Sequence, residues 1–115
     1  MARIFLAAGA FVLIGTAMFH MTGLGEAATW LEGTRGRIVS LLWAVAALNW
    51  VIVASIWGFA ATRPSPLLRW PVWISALIPG LVGAILLAAV DRAHPGGYLL
   101  ILSAMLAVAG GWRLR

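Results

Sequence analysis

Four stretches of this 115-residue chain, 4–25, 38–62, 70–90 and 93–112, contain no Asp, Glu, Lys or Arg. About 20 apolar residues, rising 1.5 Å each in a helix, cover a hydrocarbon core of roughly 30 Å. Each stretch reaches that length, so the bilayer is the solvent this chain is built for. The expectation is an all-α, polytopic membrane protein. It has one membrane domain over 1–115, a four-transmembrane-helix bundle with helices at about 4–22, 38–62, 70–90 and 95–112. Charged residues make up 10% of the chain, against about 25% in a soluble domain, which agrees. Residues 1–25 have the outline of a secretory signal, with Arg3 before an apolar run and Gly25 and Ala27 as small-residue positions. We read them as the first membrane helix.

The absence of cysteine excludes disulfides, thiol catalysis and thiolate-ligated metals. The net charge of +5 comes from eight arginines against three acids. These arginines are scattered between apolar runs and form no patch for nucleic acid. They suit orientation and contact with anionic lipid headgroups instead. With the N-terminus inside, Arg3, Arg63, Arg69, Arg113 and Arg115 fall on the cytoplasmic side. Arg35, Arg37 and Arg92 then fall outside, together with Glu26, Glu32 and Asp91. The positive-inside rule therefore favours N-in/C-in.

Within the spans, small residues recur: Ala7, Ala8, Gly9, Ala10, Gly15 and Ala17 in the first, and Ala104, Ala107, Gly110 and Gly111 in the last. In lipid, helices associate by packing, and small side chains let backbones approach. In the second span Trp43, Trp50 and Trp57 recur every seven residues on one face, with Ala54 and Gly58 near the same side. Leu41, Val45, Leu48, Ile52, Ile56 and Phe59 lie opposite. The bulky-and-small face is expected to meet a helix or a flat apolar ligand such as a quinone, carotenoid or other lipid, and the aliphatic face to meet lipid. Asn49, near mid-span, is expected to hydrogen-bond across helices. Ser55, Ser75 and Ser103 bond their own helix carbonyls. Pro79-Gly80 predicts a mid-span kink that a neighbouring helix or bound molecule fills. Between the first two spans, Ala27, Ala28, Trp30 and Leu31 are expected to form an interfacial turn.

His20 lies about 24 Å along the first helix from Ile4, hence near the outer boundary, and His94 sits in the turn before the last span. Imidazoles with a carboxylate can hold a divalent metal, so His20, Asp91 and His94 are the metal candidates. His20 and His94 are likewise the candidate haem or cofactor ligands. Their sequence spacing matches no ligand motif. The simpler reading is polar residues placed at a membrane boundary, with no cofactor.

The segment from Gly9 to His20, Gly-Ala-Phe-Val-Leu-Ile-Gly-Thr-Ala-Met-Phe-His, resembles the glycine-spaced, histidine-ended first helix of DoxX-like small bacterial membrane proteins. The four-helix plan with a His-Pro-Gly turn before the last span is similar to other families of this size. The resemblance implies a multi-pass bundle in the bacterial inner membrane, acting as a partner of other proteins, with no catalytic residues to carry over. The expected function is a non-enzymatic accessory or assembly subunit that packs against other membrane subunits, its own copies or an apolar ligand. Alternatives are a His-based metal or haem protein and a transporter of the small multidrug-resistance size class. That last class needs an embedded Glu in its first helix, and 4–22 carries none. Reporter fusions test the topology: a cytoplasmic reporter should be active after Arg115 and silent within 26–35, and the reverse pattern would overturn the orientation.

Overall fold

The computed structural model describes residues 1–114. They form five α-helices: α1 (Ala2–Thr22), α2 (Leu24–Ala27), α3 (Gly33–Thr62), α4 (Arg69–Ala89) and α5 (Pro95–Trp112). A 3-10 turn, Pro66–Leu68, leads into α4. Four helical segments are long and apolar enough to cross a membrane, namely α1, α3, α5 and α4 with its preceding turn. With four crossings both ends of the described chain lie at one end of the molecule, here called the terminal end. His20 and His94 lie at the other, the histidine end.

Each helix boundary has a local cause. Gly23 caps α1, its N–H bonding the His20 and Met21 carbonyls. The third helix begins at Gly33 rather than at 38, because the polar stretch Thr34–Arg37 also coils. Gly33 enters it with φ 63°, a left-handed geometry that glycine adopts without a Cβ penalty. At 30 residues, α3 is about 45 Å long and outruns a core of roughly 30 Å, so its first turns project at the histidine end. Ser65 accepts from the Leu67 N–H and Pro66 opens the 3-10 turn. His94 and Pro95 start α5 in the same manner.

The packing order across the bundle is α3, α1, α5, α4: α1 lies along both α3 and α5, and α5 along α4, while α3 and α4 meet only sparsely. The backbones of α1 and α5 come very close. A Cβ on Gly9 would stand 3.1 Å from the Ser103 carbonyl oxygen, and one on Gly110 would stand 2.6 Å from Leu6 Cγ. The α4–α5 pair has a matching contact, where a Cβ on Gly83 would come 2.7 Å from the Gly97 carbonyl. Leu6, Leu13, Trp57, Val72 and Leu100 fill the core between these seams.

Helix α4 runs continuously through Pro79, whose missing N–H removes the bond to the Ser75 carbonyl. The ring is buried on the face shared by Val72, Ser75, Ala76 and Gly83. Gly80 turns toward α5, its Cβ position 3.5 Å from Ala104 Cβ. A neighbouring helix thus packs at the Pro79-Gly80 step.

On α3, Trp50, Ala54 and Trp57 are buried and Ile52 is exposed, as the seven-residue spacing implied. Three residues depart from that pattern. Ile56, expected on the lipid face, is partly buried and packs against the core. A Cβ on Gly58 meets nothing within 4 Å, so this glycine is no packing position: it lies at the edge of the stripe, where no helix covers it. Asn49 is exposed, and its side chain makes no hydrogen bond among the described residues. It stands about 100° around the helix from Trp50, which turns it off the flank of the bundle. Ser75 also does more than bond its own helix. It donates to the Val72 carbonyl at 3.0 Å and accepts from Trp57 Nε1 at 2.9 Å, tying α3 to α4.

Leucine at Gly9 or Gly110 should therefore cost about 1–3 kcal/mol by overpacking, whereas leucine at Gly15 or Gly58, where a Cβ meets open space, should be tolerated. Thermal or denaturant unfolding in detergent checks this, and equal melting of all four variants would contradict the α1–α5 seam.

Candidate functional site

Where α3 and α4 lie apart, toward the histidine end, the bundle encloses a cavity of about 480 Å³. Its walls come from all four long helices: Thr16, Phe19 and His20 of α1, Trp43, Ala46 and Trp50 of α3, Val82 and Leu86 of α4, and Leu100 of α5. His94 and Glu26 line its mouth. Trp57 and Ser75 join α3 to α4 nearer the terminal end. The cavity is thus the wedge left beyond that contact.

Each histidine is held by its own local structure. His20 occupies the last turn of α1, where its carbonyl accepts Trp43 Nε1–H at 2.7 Å. Its Nε2 lies 3.2 Å from the Trp43 carbonyl oxygen. A carbonyl only accepts, so Nε2 carries a proton, and in the neutral form of the ring Nδ1 keeps its lone pair. The imidazole stacks on Trp43 with centroids 4.2 Å apart and planes 7° from parallel. Trp50 meets it edge-on at 4.8 Å. Gly23 makes room for this arrangement, since a Cβ there would stand 3.1 Å from Trp43 Cζ2. Beyond Trp43, Trp30 packs edge-on at 5.4 Å, so the short α2 and its turn lid the stack.

His94 is the N-cap of α5, its Nδ1 accepting the Gly97 N–H at 3.3 Å. That leaves the proton on Nε2, so with His20 in its neutral form the two imidazoles have opposite free positions: an acceptor on His20 and a donor on His94. The ring folds over Gly96, where a Cβ would come 2.9 Å from His94 Cε1. Asp91 stays out of the cavity. Its Oδ1 accepts the Ala93 N–H at 2.9 Å, and Tyr98 donates to the Arg92 carbonyl at 2.7 Å, so these residues shape the turn. His20, Asp91 and His94 therefore do not form a ligand set. Among the described residues no three His, Cys, Asp or Glu side chains gather to hold a metal ion.

The tryptophan stripe splits into three roles. Trp43 holds His20, Trp50 walls the cavity floor, and Trp57 is fully buried against Ser75. Ala46, Val82, Leu86 and Leu100 complete the cavity and carry no mark in the sequence that separates them from other aliphatic residues. Trp43→Phe keeps a ring for stacking and removes the bond to the His20 carbonyl, so it should cost about 1 kcal/mol. Trp30→Phe, at an exposed ring, should cost clearly less; a comparison of unfolding midpoints checks the pair.

Comparison with protein-family models, curated proteins and solved structures finds no match to this chain.

Proposed function

We propose that this chain is a non-enzymatic membrane accessory subunit that holds a flat, apolar ligand of the quinone class in the cavity at its histidine end. The observation that carries the reading is the convergence of aromatic walls and two imidazoles of opposite hydrogen-bonding sense on one cavity. Its volume of about 480 Å³ falls in the range of small-molecule sites, which are mostly apolar with a few placed polar groups. A quinone carbonyl can accept from His94 Nε2–H, and a quinol hydroxyl can donate to His20 Nδ1. Trp43 and Trp50 offer ring faces and edges to the head group. The reading sets both termini at the cytoplasmic face of a bacterial inner membrane, supported by the arginine excess at that end.

A second role, packing against another membrane subunit, is favoured by Asn49. A primary amide on a lipid-exposed flank near mid-span lacks the hydrogen bonds it needs, and a partner helix supplies them.

Titration of the purified protein with a short-chain quinone, followed by tryptophan fluorescence, tests the ligand reading. Saturable quenching is expected, abolished by Ala46→Phe, which fills the cavity. Replacing His94 by Phe should weaken it about tenfold, the size of one hydrogen bond. Quenching untouched by Ala46→Phe would overturn the reading. A stoichiometric metal or haem lost on His20→Ala would replace it with an imidazole-ligand function.

A further inference from the structure

At the terminal end, Arg69 opens α4 inside a cluster of indole rings. Its guanidinium carbon lies 4.3 Å from the Trp73 ring centroid and 5.4 Å from that of Trp112. Its Nε is shielded from solvent and has no hydrogen-bond partner among the described residues. The rings are fixed in turn: Trp73 Nε1 donates to the Val108 carbonyl at 3.2 Å, Trp70 packs edge-on to Trp73 at 5.4 Å, and Trp112 lies 5.7 Å away. A guanidinium in such a cage keeps its charge and its fork of donors in a set orientation.

From Trp112 an apolar groove of about 640 Å³ runs between α4 and α5 toward mid-membrane. Ala76, Gly80 and Ala84 on α4 and Ala104 on α5 form its shallow side, with Leu81 and Met105 beside them. From Ala76 to Ala84 it extends about 12 Å along the helix, most of one leaflet's share of a hydrocarbon core of roughly 30 Å. Charge selects the occupant. Arg3, Arg63 and Arg113 share this end with Arg69, and all three side-chain carboxylates, Glu26, Glu32 and Asp91, lie at the opposite end.

We propose that Arg69 and the α4–α5 groove form a binding site for one anionic phospholipid. The headgroup phosphate accepts from the Arg69 guanidinium, and one acyl chain lies along the groove. The indoles of Trp73 and Trp112 hold the cation at headgroup depth, where tryptophan is favoured. A phosphate there accepts from the outer N–H groups of the guanidinium, and charge-assisted bonds of this kind are among the stronger ones. The site is separate from the histidine-end cavity and does not depend on what that cavity holds.

Native mass spectrometry of the protein released from nanodiscs of phosphatidylcholine and phosphatidylglycerol reads the site directly. One retained phosphatidylglycerol per chain is expected, with retention lowered about tenfold by Arg69→Gln. Ala84→Phe, which blocks the groove at an exposed position and leaves every charge in place, should lower it as well. It also serves as the deciding variant if Arg69→Gln fails to fold. Arg3→Gln should retain the lipid, and added inorganic phosphate should not displace it. Equal retention by Ala84→Phe and the parent protein overturns the proposal. So does an equal loss in Arg3→Gln and Arg69→Gln, which would indicate diffuse surface charge, or displacement by phosphate, which would indicate an anion site without lipid specificity.

Discussion

The backbone-close seam between α1 and α5 is the contact on which the rest of the bundle depends. In hydrocarbon, two apolar helices gain nothing by hiding from solvent, because lipid tails are as apolar as the helices. They gain by dispersion, which requires near contact over many atoms. Gly9 against the Ser103–Ala107 backbone and Gly110 against Leu6 give α1 and α5 that contact. With this pair in the middle, α3 can pack only on the free side of α1 and α4 only on the free side of α5. Among the described residues the outer helices are tied by one side-chain hydrogen bond, from Trp57 to Ser75.

That arrangement explains why the molecule has a cavity at one end. Trp57 is too large to let α3 and α4 close on each other, and its indole N–H must be satisfied once buried. Ser75 satisfies it, fixing the separation of the two helices at that level. Toward the histidine end the wedge continues, and the side chains at its walls leave it unfilled. The groups at its mouth are those that a helix end presents: the carbonyls of a terminating α1 and the cap of a starting α5. His20 and His94 are recruited by those two ends, His20 through its clasp with Trp43 and His94 through the Gly97 amide. The polar chemistry of the cavity is thus a consequence of helix termination placed beside an aromatic face.

The two ends of the molecule differ in kind. The histidine end carries every side-chain carboxylate and both imidazoles, and Trp43 and Trp50 there line a cavity. The terminal end carries arginines without a side-chain carboxylate, and Trp73 and Trp112 lie against one of them, Arg69, with Trp70 edge-on to Trp73. Indole serves both purposes because it joins a broad apolar face to a single donor. At the histidine end that donor clasps a neighbouring helix carbonyl, and at the terminal end it fastens α4 to α5 through Val108.

The set of spans and the inward face of α3 are legible in the order of the amino acids. Span number follows from apolar length against bilayer thickness, a local quantity, and Pro95, Gly23 and the Pro64–Pro66 stretch mark the interruptions. The inward direction of Trp50, Ala54 and Trp57 was legible because large and small residues sharing one face have only one good use in lipid. Tertiary structure alone decided which small residues meet. Gly9 and Gly110 lie at seams while Gly15 and Gly58 face open space, and nothing in their neighbours' composition separates them. It also decided that Asn49 turns outward, that Ser75 receives an indole, that Asp91 stays in its turn and that His20 and His94 share a cavity. The physical reason is common to all of these. In a bilayer both the partner helix and the lipid are apolar, so no local pattern of polarity distinguishes a contact face from a lipid face. Only the fit of one backbone against another does so.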